Sequence, residues 1–237
     1  MTHELASIQF LAASWTPEQV LSWAFKRFRR EVAISSAFGA EGMVLIDMAA
    51  RLRTDFRVFT LDTEFFFPET YDLMDKVEAR YAIKIERVYP LLSPEEQAII
   101  HGPSLWSRNP DGCCELRKVE PLARKLSELR AWITSIRADQ TSVRATAQKV
   151  EWDTRFNLVK INPIVDWTSQ QVWSYIREHR VPYNPLHDRD YPSIGCTHCT
   201  RAIRAGENAR AGRWSGFTKN ECGLHTIAPL PVEPADA

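Results

Sequence analysis

The chain has 237 residues, of which 44% are hydrophobic and 25% charged, and its formal net charge is zero. This composition is that of a globular protein with ample material for a core. Zero net charge argues against a general nucleic-acid-binding protein, and no apolar run approaches the roughly 20 residues that span a bilayer. The first ten residues lack the basic and apolar regions of a secretory signal, so we expect a cytoplasmic protein with unpaired thiols.

Helix patterns alternate with short strand patterns as far as His179. Thr16-Pro17-Glu18-Gln19 combines an N-cap residue, proline at the first helical position and glutamine three residues after the cap, which predicts a helix start. The same capping pattern at Thr168 predicts a helix that ends at His179. Further strands are predicted at 32–36, 56–61, 83–88, 132–136 and 158–161, and further helices at 43–52, 68–81, 93–100 and 111–130. In the last of these, Asp111 is the predicted N-cap and Pro121 a predicted kink or break.

This alternation predicts an α/β fold with a doubly wound, mostly parallel, Rossmann-like sheet, followed by a C-terminal segment that carries a cysteine. In such sheets the ligand lies at the carboxyl ends of the strands. The residues predicted to share that rim are Ser35, Ser36, Gly39, Asp62, Thr63 and Arg137. The small-residue loop at 35–42 is typical of a phosphate cradle, although it matches neither the Walker loop nor the dinucleotide fingerprint. A plain structural turn therefore stays open for this loop.

Four of the five cysteines occur in two pairs, the adjacent Cys113 and Cys114 and the later Cys196 and Cys199. This pairing favours a soft metal centre over inert packing. Zinc usually takes two Cys-x-x-Cys arms, and adjacent cysteines are poorly spaced for one ion. An iron–sulfur cluster has several irons, so neighbouring thiolates can each bind a different one. The pattern therefore favours a cluster over zinc.

Basic residues accompany the thiols. Arg117 and Lys118 lie four residues after the adjacent cysteines, where they are expected to tune the charge or meet an anionic substrate, with a structural role left open. The helix start at Asp111 is expected to favour the thiolates. The fifth cysteine, Cys222, follows a basic segment at 201–219 and precedes His225, and nearby positive charge is expected to favour its thiolate. We interpret Cys222 as a nucleophile for an anionic sulfur substrate.

Together, the two cysteine pairs and the terminal Glu221-Cys222-Gly223-Leu224-His225 resemble the assimilatory adenylyl-sulfate reductases, which belong to the phosphoadenylyl-sulfate reductase family. The likeness runs from about residue 30 to residue 225. Further stretches that resemble the family are Ser36 to Glu41, Leu61-Asp62-Thr63, Phe67-Pro68-Glu69-Thr70-Tyr71, Ile136-Arg137-x-x-Gln140 and Arg210-x-x-Arg213-Trp214.

The resemblance implies an adenine nucleotide alpha hydrolase-like fold and the reduction of adenosine 5′-phosphosulfate to sulfite and AMP, in sulfate assimilation and cysteine biosynthesis. It implies thioredoxin or glutaredoxin as electron donor and an S-sulfonated Cys222 as intermediate. It also implies a [4Fe–4S] cluster on Cys113, Cys114, Cys196 and Cys199. The implied substrate-binding residues are Ser35, Ser36, Gly39, Thr63, Lys118, Arg137, Arg144, Arg210, Arg213 and His225. Residues 1–225 form one predicted domain, and 226–237 a predicted flexible tail.

Some positions depart from the family pattern, namely Gly42, Glu64-Phe65 and Ser135, and they concern the details of the nucleotide pocket. The open alternatives are the same reaction on the 3′-phosphorylated nucleotide, an ATP-dependent adenylating or thiolating enzyme with a structural zinc site, and an iron–sulfur sensor that touches nucleic acid. No membrane or nucleic-acid partner is expected, and a homo-oligomer stays open.

Overall fold

Six β-strands form one sheet in the computed structural model, which describes residues 2–52, 55–219 and 221–225. The strands are β1 (Val32–Ser35), β2 (Val58–Leu61), β3 (Ile85–Val88), β4 (Ala131–Ile133), β5 (Val150–Asp153) and β6 (Leu158–Ile161). Their order across the sheet is β3-β2-β1-β4-β6-β5, and all neighbours pair in parallel except β5, which is antiparallel to β6. The predicted mostly parallel α/β sheet is confirmed, and the order reverses between β1 and β4, where such sheets bind ligands.

The edge strand β5 is absent from the sequence prediction, which counted five strands. Its sequence is Val-Glu-Trp-Asp, and of these four residues only Val150 is fully buried. Pairing with β6 therefore defines this strand more than an apolar pattern does, since strand preference depends on the neighbours that a strand packs against.

Nine α-helices accompany the sheet in the described residues: α1 (Thr2–Ala12), α2 (Pro17–Phe28), α3 (Ala40–Leu52), α4 (Pro68–Tyr81), α5 (Pro94–His101), α6 (Leu105–Arg108), α7 (Pro110–Cys114), α8 (Glu120–Leu126) and α9 (Ser169–His179). The capping boxes predicted at Thr16 and Thr168 are confirmed, with Gln19 N and Gln171 N each donating at 3.3 Å to the threonine hydroxyl. Helix α1 has no counterpart in the prediction. No helix in the described ranges combines the length and the apolar character needed to cross a membrane.

Both faces of the sheet are buried, because alternate residues of each strand point to opposite sides. Ile34 and Val58 pack with α2, α3, α4 and α9 in one apolar cluster. Phe59 and Trp132 pack on the other face with Leu122 of α8. Fully burying a side chain of this size contributes about 1.5–3 kcal/mol, so these faces fix the strand ends that carry the site.

The segment with the adjacent cysteines differs from its prediction as one helix capped by Asp111. The N-cap is Asn109, whose Oδ1 accepts from Gly112 N at 2.9 Å, and Asp111 lies in the first turn. After α7, residues Glu115–Val119 form a wider π-helical turn before α8 begins. Pro121 cannot donate the hydrogen bond that an α-helix directs four residues back, and π turns often mark functional sites. The predicted break at this proline thus takes the form of a local change of helix type.

Candidate active site

The loop after β1 begins the site at the carboxyl edge of the sheet. Ser36 N donates to Phe59 O, and Ser36 Oγ accepts from Phe38 N at 3.0 Å. Phe38 has a φ of 58°, which is rare for a non-glycine residue and strains the loop. A Cβ at Gly42 would lie 2.4 Å from Ser36 Oγ. The glycine that departs from the family pattern is therefore required by the position of Ser36.

Thr63 follows β2 and Arg137 follows β4, so the structure brings the predicted rim residues to the same edge of the sheet. Arg137 lies beside the Ser36 loop through an ion pair with Glu41 at 2.5 Å, and it pairs with Asp139 at 3.0 Å. Its guanidinium is 9% exposed as a side chain, so substrate contact there requires a change of partner.

Arg117 has a structural role, which the sequence had left open, and it also lines the pocket that holds the two cysteine pairs, so charge tuning there stays a prediction. The side chain is 1% exposed. Its guanidinium donates to Thr63 O at 2.8 Å and to Gln97 Oε1 at 3.0 Å, and it pairs with Glu64 at 2.8 Å. The guanidinium carbon also lies 4.6 Å from the ring centre of Phe65. Glu64 and Phe65, which depart from the family pattern, are thus among the residues that hold Arg117.

Four cysteines from distant segments line one pocket. Cys113 and Cys114 end α7, while Cys196 precedes and Cys199 ends a single 3₁₀ turn at Thr197–Cys199. The aromatic and basic lining of this pocket consists of Phe65, Trp106, Arg117, Lys118 and His198. The rings of Trp106 and His198 are stacked with their centres 4.5 Å apart. The structure therefore brings together the four thiols that the sequence paired.

The thiols are close enough to influence each other's ionisation. Contrary to the expectation from the helix start, burial raises the pKa of Cys113 to about 11, and the nearby Cys114, Cys196 and Cys199 add to the rise. Burial likewise raises the pKa of Cys199 to about 11, with Cys196 as the next cause. A thiolate at one of these cysteines therefore disfavours ionisation of the other buried thiols. A bound cation would instead favour their thiolate forms.

Lys118 supplies positive charge within this group. Burial alone would lower its pKa, but the nearby sulfurs of Cys196, Cys114 and Cys222 raise the pKa above its ordinary value. Burial would raise the pKa of Cys196, yet Lys118 and the Thr63 hydroxyl hold that pKa below its usual range. Lys118 therefore stays charged between the two cysteine pairs and the terminal cysteine.

In residues 2–52, 55–219 and 221–225, no group of three or more His, Cys, Asp or Glu side chains is arranged to hold a metal ion. That arrangement concerns one ion. Thiolates that bind separate irons of a cluster are held apart by the cluster itself, so the all-sulfur lining is compatible with such a group. The metal-ligand prediction for the four cysteines stays a prediction.

The segment with Cys222 lies against the body of the protein. Glu221 is bound by Arg144 through two bonds of 2.7 and 2.8 Å, and it accepts from Thr141 Oγ1 at 2.8 Å. Arg210 lies 3.8 Å from the same carboxylate. Arg144, predicted to bind substrate, thus holds the residue before the candidate nucleophile.

His225 stacks on Trp132, with ring centres 5.6 Å apart and planes at 11°. Burial lowers the pKa of His225 well below its ordinary value, and the charges of Arg144, Lys160 and Arg210 lower it further. His225 is therefore neutral at neutral pH. The expectation that it adds positive charge near Cys222 is wrong.

Arg213 supports the loop that carries the second cysteine pair. Its guanidinium donates to Ser193 Oγ at 3.2 Å and to Ile194 O at 3.3 Å, and it lies 4.5 Å from the Trp214 ring centre. A Cβ at Gly195 would lie 2.2 Å from this guanidinium. Arg213 thus packs against Gly195, the residue before Cys196.

Two site residues escaped sequence reasoning. Glu221 precedes Cys222 in the terminal motif at 221–225, so its negative charge beside the candidate nucleophile is visible in the sequence. Arg155 lies after β5, in a stretch assigned no element, and nothing in its sequence neighbours marks it. It donates to the carbonyl of Gly223.

Comparison with known proteins agrees with this arrangement. A family model described as the phosphoadenosine phosphosulfate reductase domain matches residues 31–202. An adenosine 5′-phosphosulfate reductase of Halalkalibacterium halodurans is 48% identical over 207 residues, covering 87% of this chain and 90% of the relative. A phosphoadenosine 5′-phosphosulfate reductase of Gloeobacter violaceus is 44% identical over 225 residues, covering 92% and 93%.

The fold has a close counterpart among solved structures. The phosphate complex of phosphoadenylyl-sulfate reductase from Candida auris superposes with a TM-score of 0.74 at 35% sequence identity. The match covers 84% of this chain and 96% of that structure. The resemblance drawn from the cysteine motifs and the expected fold are both confirmed.

Proposed function

Because this chain belongs to the phosphoadenosine phosphosulfate reductase family, we propose that it reduces adenosine 5′-phosphosulfate to sulfite and AMP in sulfate assimilation. One observation carries the proposal beyond the family. The residues on either side of Cys222 are bound by Arg144 and Arg155, and Cys222 lies within electrostatic reach of Lys118 and Arg210. A thiol beside two fixed cations at a nucleotide-binding edge suits attack on an anionic sulfur.

The substrate assignment follows the relatives. Several relatives at 43–48% identity are named adenosine 5′-phosphosulfate reductases, which favours that nucleotide over its 3′-phosphorylated form. The three proteins compared above are all sulfonucleotide reductases, and they give no support to an ATP-dependent enzyme with structural zinc. Free thiols in the described residues suit the cytoplasm, the compartment that we propose.

The reaction has two covalent steps. Cys222 Sγ, as thiolate, attacks the sulfur of the phosphosulfate; the S–O bond breaks, and AMP leaves with its electron pair. A thiolate of a thioredoxin or glutaredoxin then attacks Cys222 Sγ, and sulfite leaves with the electron pair of the S–S bond. The donor's second thiol resolves the mixed disulfide, so two electrons pass from the donor dithiol to sulfur.

Positive side chains offset the repulsion between a thiolate and an anionic substrate. We assign this role to Lys118, Arg210 and Arg213, and we assign the adenylate to Ser35, Ser36, Gly39 and Thr63. Arg144 and Arg137 have carboxylate partners in this structure, namely Glu221 and Glu41. Their part in binding therefore requires them to share or exchange these partners.

We further propose that Cys113, Cys114, Cys196 and Cys199 hold a [4Fe–4S] cluster. The fit rests on the donor set, since four sulfurs from two segments line one buried pocket with a charged Lys118. When bound, the cluster would cross-link the segments beside the substrate and contribute its charge there. Lys118 lies where it can balance the negative thiolates.

Intact-mass measurement tests the function directly. Enzyme incubated with adenosine 5′-phosphosulfate and no donor should gain one sulfonate, and reduced thioredoxin should remove it. Cys222→Ser should form no adduct and show no turnover. A Cys222→Ser protein that still releases sulfite would overturn the proposal.

A further inference from the structure

Arg155 occupies a rigid turn between β5 and β6. The Asp153 carboxylate accepts from Arg155 N at 3.1 Å and from Phe156 N at 3.2 Å, so one side chain closes the turn. Asn157 completes it with a φ of 56°, a conformation that asparagine tolerates better than most residues. The backbone thereby fixes the direction in which the Arg155 side chain leaves the sheet.

The Arg155 side chain is 8% exposed and joins three segments. One guanidinium nitrogen donates to Gly223 O at 2.5 Å, and another lies 3.8 Å from Glu115 Oε2 in the π-helical turn after the adjacent cysteines. The guanidinium carbon lies 5.2 Å from the Phe156 ring centre. A charged donor to a backbone carbonyl is among the stronger hydrogen bonds in a protein.

The other flank of Cys222 is held in a comparable way, since Arg144 binds the Glu221 carboxylate through two bonds. Gly223 has a φ of 85°, and a Cβ there would lie 3.4 Å from Val119 Cγ2. The residues before and after Cys222 are therefore each bound by an arginine. Arg144 binds a side chain, whereas Arg155 binds the backbone itself.

We propose that Arg155 is a positioning residue that holds the Cys222 segment closed during formation of the S-sulfonate. This inference rests on the proposed function. In that step the bond from Cys222 Sγ to the substrate sulfur forms and the S–O bond breaks, with AMP leaving; the role assigned to Arg155 acts through the Gly223 carbonyl. Release of sulfite needs the opposite state, because the donor must reach Cys222. Opening breaks the bond from Arg155 to Gly223.

The test compares Arg155→Met, which has similar length and no donor, with Arg155→Lys, which keeps the charge and one donor group. Arg130→Gln is the matched control, since Arg130 is an exposed arginine paired with Glu31 on the surface. In nucleotide-free enzyme, iodoacetamide labelling of Cys222 is followed on the tryptic peptide after Lys219, which contains one cysteine. Single-turnover mass measurements then give the rate of S-sulfonation and, separately, the rate at which thioredoxin removes the sulfonate.

Arg155→Met should label Cys222 about tenfold faster and form the S-sulfonate about tenfold more slowly, while sulfonate removal stays at least as fast as in the wild type. Arg155→Lys should fall between Arg155→Met and the wild type, and it carries the test alone if Arg155→Met does not fold. Equal slowing of both covalent steps would mark a general structural defect and overturn the proposal. Unchanged labelling or unchanged sulfonation would also overturn it.

The outcomes separate this inference from the proposed function. A wild-type enzyme that forms no adduct would contradict the proposed function. The labelling comparison would still decide whether Arg155 holds the segment.

Discussion

The Thr63 hydroxyl lies 3.3 Å from the sulfur of Cys196, and it joins the end of β2 to the second cysteine pair. Both residues are buried, and Thr63 Oγ1 also accepts from Phe65 N at 3.4 Å. The edge that is predicted to hold the adenylate and the pocket that is predicted to hold a cluster therefore share one hydrogen bond. A substitution at Thr63 is therefore expected to affect the cysteine pocket, and a substitution at Cys196 to affect the nucleotide edge.

Thr63→Val should lower the free energy of unfolding by about 1 kcal/mol or more, at least about 2–4 °C in Tm, because it removes the hydroxyl that bonds Cys196 and Phe65 N with little change of shape. The loaded enzyme should also retain less iron. Thr60→Val is the matched control, since Thr60 Oγ1 is buried with no hydrogen-bond partner among the described residues. Calorimetry and iron analysis of both variants check this. A loss in Thr60→Val as large as in Thr63→Val would contradict it.

The cluster assignment predicts a brown protein with broad visible absorption. Cys113→Ser and Cys199→Ser should lose iron and most of the activity, and they should be less stable, because the two segments are no longer cross-linked. Cys222→Ser should keep its iron while losing activity. An ultraviolet–visible spectrum with metal analysis decides. Colourless, fully active protein with stoichiometric zinc would contradict the assignment.

Gly42→Ala should lower the free energy of unfolding by about 1–3 kcal/mol and raise KM for the nucleotide, because the new methyl group collides with Ser36 Oγ. The double variant Gly42→Ala, Ser36→Ala should recover stability by removing the colliding oxygen. Gly39→Ala serves as the stability control, since its Cβ would meet its nearest atom at 3.8 Å. Urea denaturation of the three variants measures the effect, and a stable Gly42→Ala would contradict it.

His225 should make the native state less stable in mild acid. Its pKa is lowered in the folded protein, so below the ordinary pKa of about 6.5 the unfolded chain binds a proton that the native chain does not. Stability is complete above that pH and falls as the pH drops, by up to about 1.4 kcal/mol per unit. His225→Asn should flatten this dependence. Denaturation at several pH values compares the slopes, and equal slopes would contradict the prediction.

Substrate choice is open to a direct kinetic measurement. We expect kcat/KM for adenosine 5′-phosphosulfate to exceed that for the 3′-phosphorylated nucleotide by at least about tenfold, roughly 1.4 kcal/mol of transition-state binding. The expectation follows the relatives that are named adenosine 5′-phosphosulfate reductases, such as those of Halalkalibacterium halodurans at 48% and Staphylococcus epidermidis at 43% identity. Assays of both nucleotides with the same electron donor compare the two kcat/KM values. Preference for the 3′-phosphorylated nucleotide would reverse the assignment.

Local patterns in the sequence were sufficient to predict the features that depend on residues close together in the chain. The capping boxes, the parallel strands and the helix at 68–81 follow from patterns within a few residues, because caps and strand faces are local. The cysteine pairs identified four thiols and a fifth with a separate role. With the terminal motif at 221–225 and several further stretches, the cysteine pairs carried the family resemblance that the comparisons confirm.

Tertiary structure decided what each charge does, because partners of a buried charge come from distant segments. The sequence left open whether Arg117 serves the site or the structure, and the fold shows its guanidinium bound by Thr63, Glu64 and Gln97. The sequence suggested a positively charged His225, whereas in the fold burial and the nearby charge of Arg144 lower its pKa. No sequence pattern marks such pairings, since the energy of a buried charge depends on surroundings that only the fold assembles.

The edge strand β5 and its turn show the same limit most clearly. Its short, mixed sequence carries little strand signal, yet pairing with β6 places Arg155 against the Gly223 carbonyl, 68 positions along the chain. The sequence by itself identified Cys222 as the candidate nucleophile, because it is the one cysteine outside the two pairs. Only the fold decided how that sulfur is held, because backbone carbonyls and distant arginines meet through packing.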